Sequence, residues 1–398
     1  MTTSATRGAG LFAIGLCLLA AMLEGFDIAS MGVAAPKMMP ALGLSKPEAG
    51  MAFSASLFGL MVGAAACGAL ADRFGRKPVL LAAVVIYGLF SLLTAFVTDY
   101  GLLLAVRALT GIGLGGAMPM LIAIASELAP THRRTVVVST VTAGMPLGGA
   151  LVGLLARTEF AAADWRVIFI VGGVAPLLMA VVLWLWLPET HAALAERRPN
   201  GALAALFGKG RLATTLSLWV SYAAIALVLH LFLNWLPLLL VDRGFASRDA
   251  AGVSTLFNLG GVAGGVLAGL AIDRLGARWP LAVVFAALIG VLFWLAAPGA
   301  GIALTASLSF AMGFLIMAGQ FGLYGVGPGY YAPAVRGTGI GAAIAAGRLG
   351  SALGPLAAGE LLGAGASSAQ VVLATTPIVL ICAAAAMLLT VVGKKAEV

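Results

Sequence analysis

Two carboxylates, Glu24 and Asp27, stand three residues apart inside an apolar run that reaches from about Gly10 to Ala35. Helical spacing places both on one face, about one turn from each other. An ionisable group near the centre of a membrane span costs at least about 2.5 kcal/mol on insertion scales, so by default it marks a substrate or proton site facing a protein interior or wet cavity. Two permanent cations, Arg107 and Arg348, lie within other apolar runs, Arg107 about two turns inside one end of its run and Arg348 near the middle of its own. Guanidinium stays charged and presents a planar fork to a carboxylate, whereas desolvation favours the neutral, proton-carrying form of a carboxyl group. The residue types therefore divide by task, arginine for an anion and acid for a proton. The competing reading is structural: Glu24 and Asp27 as a polar patch paired with a neighbouring helix, and the arginines as helix-pairing cations.

Composition decides what kind of scaffold must hold these charges. Of 398 residues, 62% are hydrophobic and 10% charged, with mean hydropathy +1.08. A soluble domain carries roughly a quarter charged residues, so this composition indicates an integral membrane protein. The net charge of +8 could suit a nucleic acid, but the basic residues sit in short loops with no interleaved aromatics, and the surplus reads as membrane topology. Cys17, Cys67 and Cys382 fall within apolar runs and read as packing residues, not as disulfides or metal ligands. The run after the polar stretch Met1 to Gly10 is too long for a signal-peptide core and lacks a convincing cleavage site, so no removal is expected.

Twelve apolar runs lie near 11–35, 49–71, 78–98, 101–126, 135–156, 166–187, 212–241, 250–272, 280–297, 301–328, 333–362 and 370–392. Their length suits helices, and the period-two alternation of barrel strands is missing. With the N-terminus inside, the inner loops hold fifteen of the 23 Lys and Arg and the outer loops six, Lys37 among them, which places both termini in the cytoplasm. The longest polar stretch, 188–211, reads as a cytoplasmic linker between an N-terminal half, 1–187, and a C-terminal half, 212–398. Its His191 and Glu196 read as solvated. The halves echo each other: Gly68-Ala-Leu-Ala-Asp72-Arg73-Phe-Gly75 returns as Gly269-Leu-Ala-Ile-Asp273-Arg274-Leu-Gly276, at an offset of 201 residues. Ala129-Pro130-Thr-His-Arg133 returns as Ala332-Pro333-Ala-Val-Arg336. Internal repeats of this kind characterise secondary transporters, which work by alternating access.

These residues resemble a known group. Asp72-Arg73-Phe74-Gly75-Arg76-Lys77 is similar to the signature loop between helices two and three of the major facilitator superfamily. Arg107-Ala-Leu-Thr-Gly111-Ile-Gly113-Leu-Gly115 resembles its helix-four arginine motif, and Leu187-Pro188-Glu189-Thr190 its usual ending of helix six. Glu24-Gly-Phe-Asp27, Asp164-Trp165-Arg166, Asn234-Trp235-Leu236-Pro237 and Gly347-Arg348-Leu-Gly350 are similar to the aromatic acid:proton symporters. Glu24, where most members have Asp, favours the 3-hydroxyphenylpropionate branch over the benzoate-type carriers. The resemblance implies an all-α membrane protein, with twelve transmembrane helices in two pseudo-symmetric six-helix halves. It further implies a monomer in the lipid of the bacterial inner membrane, importing a small aromatic carboxylate with protons as coupling ion and no cofactor.

Within that frame Asp27 and Glu24 are candidates for proton coupling, and Arg107 and Arg348 for the substrate carboxylate. Phe53, Asn234, Gln320 and Tyr324 could line a pocket for an aromatic ring and its hydroxyl. Asp72, Arg76, Asp273, Arg274, Glu127 and Arg133 stand at helix ends, where contacts that gate the carrier can make and break; Glu127, Arg133 and Arg134 could equally be ordinary interfacial charges. His230 reads first as a packing residue. An enzyme is disfavoured, because His132, His191 and His230 are scattered and no nucleophile or metal spacing appears. A proton-driven exporter is the nearer alternative; exporters of this superfamily carry a Gly-Pro pair in helix five, which Met145 interrupts here between Gly144 and Pro146.

Overall fold

Backbone in lipid has no water to satisfy it, and a helix bonds its own N–H and C=O groups, so each long apolar run becomes one. The computed structural model describes residues 2–130, 133–190, 206–208, 211–331 and 333–392. In order the helices are α1 (Thr2–Leu42), α2 (Lys46–Phe74), α3 (Arg76–Thr94), α4 (Tyr100–Leu128), α5 (Arg134–Thr142), α6 (Gly144–Ala156), α7 (Glu159–Ala163), α8 (Arg166–Trp186), α9 (Leu212–Val241), α10 (Ser247–Leu275), α11 (Arg278–Ala296), α12 (Ile302–Val326), α13 (Pro333–Gly363) and α14 (Ser368–Val392). Twelve helical spans among the described residues are long and apolar enough to cross a membrane, α5 and α6 making one of them between them. No strand occurs among the described residues. The protein is an all-helical integral membrane protein.

Three local features depart from the sequence reading. Helix α1 continues through Pro36 and Pro40 to Leu42, so Lys37 lies on a helix rather than in a loop, and its Nζ donates to the Ala162 carbonyl. Membrane helices tolerate such prolines because their neighbours re-satisfy the freed groups. The fifth span is not one helix but two, meeting at Ala143, and the tenth run ends in a 3₁₀ turn, Gly327–Tyr330. The linker expectation falls mostly on 191–205 and 209–210, outside the described residues.

Contacts divide the chain into two compact units, Met1–Glu196 and Arg197–Val398. In the first, α4 lies against α2, α3 and α1, while α1 meets α6 and α8, and α3 meets α8. In the second, α12 lies against α10, α11 and α9, while α9 meets α13 and α14, and α11 meets α14. The two patterns match helix for helix, so the sequence repeat is also a packing repeat.

Glycine makes the tightest of these crossings. A Cβ on Gly59 or Gly63 of α2 would overlap the backbone of α4 at Ala108 or Ile112, and one on Gly260 or Gly264 of α10 would overlap α12 at Phe310 or Phe314. The two pairs stand at the same 201-residue offset as Asp72 and Asp273. Small residues let helices approach closely where the hydrophobic effect cannot drive association. Gly63→Ala is therefore expected to destabilise the protein by about 1–3 kcal/mol, seen as a lowered melting temperature in detergent. Gly290→Ala, at a position where a Cβ meets open space, should cause no loss. Gly75 and Gly276, at φ 91° and 74°, end α2 and α10 in a conformation that L side chains rarely adopt, which accounts for that repeated glycine.

Outward faces are apolar. Val62, Leu178, Val181, Leu267 and Val283 are each at least 50% exposed in mid-helix, as lipid contact requires. Trp184, Trp186, Trp279 and Trp294 are exposed near helix ends, where interfacial tryptophans belong.

Candidate functional site

Helix α4 carries Arg107 two turns from its start, which Asp99 fixes by accepting from the Leu102 N–H at 2.9 Å. Arg107 Nη2 donates to Asp27 Oδ1 at 3.0 Å, and Nε donates to Ser56 Oγ at 2.9 Å. Both members of this ion pair are buried, with side chains 1% and 0% exposed. The guanidinium carbon also lies 5.9 Å from the centre of the Phe169 ring on α8. The glycines after Arg107 set these distances. A Cβ at Gly111 would strike the Ser56 carbonyl, one at Gly113 the Tyr87 backbone, and one at Gly115 the Leu60 carbonyl.

The Glu24-Gly-Phe-Asp27 stretch is positioned with similar economy. Gly25 meets the Met145 backbone of α6, and Gly148 of α6 meets the Met22 carbonyl, so α6 crosses α1 beside the acids. Phe26 lies near Gly172 of α8. Glu24 is buried one turn before Asp27. A buried pair with every atom satisfied would act as a static strut. In this one, Asp27 Oδ2 and Arg107 Nη1 are buried with no hydrogen-bond partner among the described residues, so an acceptor and a donor remain open beside a pair that is costly to break.

Sequence reasoning passed over Ser56, Phe169 and, on α3, Tyr87 and Ser91. Tyr87 OH and Ser91 Oγ are buried without hydrogen bonds among the described residues, and Tyr87 lies within electrostatic reach of Glu24 and Asp27. A signal existed: Tyr87, Ser91 and Thr94 recur at helical spacing as the polar side chains of an apolar run, and all three are fully buried. Phe53 is buried on α2, one turn from Ser56.

In the second unit, Gly350 and Gly354 of α13 meet the Ala223 and Leu227 carbonyls of α9, and Trp235 Nε1 donates to the Pro355 carbonyl at 2.9 Å. Arg348 is half-buried on α13 and within electrostatic reach of His230. His230 Nδ1 is 2.9 Å from the Ala226 carbonyl; a carbonyl only accepts, so Nδ1 carries the proton and Nε2 of the neutral ring is an acceptor. Asn234 donates to the His230 carbonyl at 2.8 Å. Gln320 Nε2 bonds Tyr324 OH at 2.9 Å, and the Tyr324 ring lies 4.8 Å from that of Tyr222, itself missed from sequence. The structure thus groups Gln320 with Tyr324, and His230 with Asn234 and Arg348. The charge pair has no repeat: 202 residues beyond Arg107 stands Ser309, and 201 beyond Asp27 stands Val228.

Among the candidate gating residues, Arg76 pairs with Glu127, and Glu189 Oε1 accepts from the Arg76 and Lys77 backbone N–H groups at 3.1 and 3.2 Å. Lys77 Nζ donates to the Trp184 carbonyl at 2.8 Å. Asp72, Asp273, Arg274 and Arg133 are exposed. Arg166 is part of a corner: its Nε donates to the Ala95 carbonyl at 3.1 Å, and its backbone N–H donates to Asp164 Oδ1 at 3.0 Å.

Twelve spans in two repeated helical units, with a buried acid–arginine pair in one of them, define a membrane transporter fold. Residues 17–355 match the Major Facilitator Superfamily, and the chain belongs to it. It is a transporter and not an enzyme. It is 39% identical to the 3-(3-hydroxy-phenyl)propionate transporter of Escherichia coli K12, over 96% of this chain and 94% of that one. It is 33% identical to the 4-hydroxybenzoate transporter PcaK of Pseudomonas aeruginosa, over 90% and 88%. A solved D-xylose-proton symporter shares the fold at TM-score 0.79 and 19% identity, covering 97% of this chain and 98% of that one.

Proposed function

We propose that this chain is a proton-coupled symporter that imports a small aromatic carboxylate, of the 3-hydroxyphenylpropionate or benzoate type, across the bacterial cytoplasmic membrane. It works as a monomer by alternating access, with both termini in the cytoplasm. The substrate class rests on the two relatives, whose names specify phenolic carboxylic acids. The mechanism rests on the buried Asp27–Arg107 pair, which leaves one oxygen and one nitrogen open.

With Asp27 ionised, Arg107 is neutralised from within and attracts an incoming anion weakly. A proton on Asp27 cancels the carboxylate charge and frees the guanidinium field, and Nη1 already offers a donor. A substrate carboxylate at Arg107 in turn takes over the field that kept Asp27 ionised. Proton and anion therefore favour each other's binding, a reciprocal coupling. Arg348 is the second candidate for the carboxylate, with Gln320, Tyr324, Asn234 and Phe53 for the ring and its hydroxyl.

Whole-cell accumulation of labelled 3-(3-hydroxyphenyl)propionate, benzoate and cinnamate, with and without a protonophore, tests the function. Protonophore-sensitive uptake of at least one acid is expected, and efflux in its place would favour the exporter. Substrate charge is tested by comparing an acid with its neutral amide. Removing one partner of a desolvated, charge-assisted contact costs on the order of 2–5 kcal/mol, so the amide should bind at least tenfold more weakly. Arg348→Lys and Arg107→Lys keep the charge and lose the fork; whichever arginine holds the substrate should show the larger loss. Equal affinity of the wild type for acid and amide would sink the carboxylate assignment.

A further inference from the structure

A guanidinium carries five N–H donors in one rigid plane: Nε and Nη2 share its side edge, while Nη1 and the second N–H of Nη2 make its end fork. In Arg107 the side edge is filled and divided. Ser56 Oγ accepts from Nε at 2.9 Å, and Asp27 Oδ1 accepts from Nη2 at 3.0 Å. The end fork is open, since Nη1 has no hydrogen-bond partner among the described residues. A carboxylate matches either edge with both its oxygens, and that two-armed pairing is the strong one. Asp27 pairs with one arm only; its Oδ2 is buried with no hydrogen-bond partner among the described residues. The N–H that would complete the pair is the one Ser56 holds.

Ser56 is buried, and its backbone is pinned where α2 crosses α4, because Gly111, one turn beyond Arg107, seats directly on the Ser56 carbonyl. The crossing itself does not need the hydroxyl. In the second unit Gly313, 202 residues beyond Gly111, seats in the same way on the carbonyl of Phe257, 201 residues beyond Ser56. There a phenylalanine holds the serine's place, and Ser309 holds the arginine's. The same helix contact is therefore built without this hydroxyl, and the hydroxyl is found where the arginine is.

We propose that Ser56 is a positioning residue of the anion site: by occupying Nε it keeps the Asp27–Arg107 pair one-armed and holds the end fork of the guanidinium open for the substrate carboxylate. This rests on the reading of Arg107 as the carboxylate site. In Ser56→Ala the freed Nε passes to Asp27 Oδ2, and the pair closes with two arms. A substrate anion must then draw Arg107 from a tighter partner, at the expense of one more charge-assisted hydrogen bond. Asp27→Asn removes the effect at its source, because an asparagine side chain has one acceptor oxygen and cannot close both arms.

Equilibrium binding of 3-(3-hydroxyphenyl)propionate and its neutral amide to the purified protein tests this, at mildly alkaline pH, which favours the ionised carboxylate. Wild type, Ser56→Ala, Asp27→Asn, the double variant of these two, and Arg107→Lys are compared. Ser56→Ala should bind the acid about tenfold more weakly than wild type, with the amide little changed. The double variant should bind the acid within about twofold of Asp27→Asn alone. Unchanged acid affinity in Ser56→Ala, or an equal loss in both backgrounds, overturns the role of Ser56 while a loss in Arg107→Lys leaves the carboxylate reading standing. Full acid affinity in Arg107→Lys overturns both. Thermal melting in detergent gives a second reading that needs no substrate and runs the opposite way. Removing the Ser56 hydroxyl should lower the melting temperature less in the wild-type background, where Oδ2 takes over Nε, than in Asp27→Asn, where nothing does. An equal or larger loss in the wild-type background, failure to fold included, marks a merely structural serine and overturns the proposal.

Discussion

Asp27→Asn is expected to abolish accumulation of the aromatic acid against its gradient while preserving exchange of labelled for unlabelled substrate across the membrane. Asparagine keeps the shape of a protonated aspartate, and its amide oxygen can still accept from Arg107 Nη2, as Oδ1 does at 3.0 Å. It cannot take up or release a proton. The carrier is left with the substrate half of a coupled reaction, and accumulation falls to equilibration. Paired uptake and counterflow assays check this, with the protonophore-treated wild type as reference. Uphill accumulation by Asp27→Asn would remove Asp27 from the coupling step and pass the role to Glu24 or another group.

Arg107→Gln should have the second large effect, on folding as well as on binding. The side chain it removes is buried, carries the hydrogen bonds to Asp27 and Ser56, and lies against Phe169. Its loss strands Asp27 as an uncompensated buried charge, and breaking a buried pair from one side costs about 3–5 kcal/mol. The acid can relieve part of that cost by taking a proton, so the defect should be larger at high pH. A double variant, Asp27→Asn with Arg107→Gln, removes both charges and should recover most of the stability without recovering transport. Melting curves of the single and double variants at two pH values decide the matter. If Arg107→Gln alone is as stable as the double variant at high pH, the pair is not coupled in the way the geometry implies.

The twelve spans and the repeat were legible because lipid imposes a length and a polarity on each helix, and few sequences meet those demands by accident. Boundaries were less legible where proline sits near a helix end. The first apolar run closes near 35, yet α1 continues through Pro36 and Pro40 to Leu42, because neighbours in a membrane protein can satisfy what proline leaves open. Glu24, Asp27 and Arg107 stood out for the opposite reason, each being a costly charge in an apolar run. Their pairing was not legible. Asp27 and Arg107 are 80 residues apart, and their meeting depends on Gly111, Gly113 and Gly115 drawing α4 onto α2 and α3. Sequence reading separated arginine for the anion from acid for the proton, whereas the structure joins the two in one pair. Tyr87 shares a helical spacing with Ser91 and Thr94 that could have marked it, but its lack of a hydrogen-bond partner among the described residues is visible only in the assembled structure.

Proton movement on substrate addition tests the central claim most directly. Proteoliposomes in weak buffer with a pH-sensitive dye outside, and with membrane potential clamped by a potassium ionophore, receive a pulse of 3-(3-hydroxyphenyl)propionate. The wild type should make the external medium alkaline in proportion to the labelled acid taken up, and Asp27→Asn should exchange labelled acid with no dye response. If Asp27→Asn still moves protons with substrate at the wild-type ratio, or the wild type takes up acid without moving protons, the buried Asp27–Arg107 pair is not the coupling site.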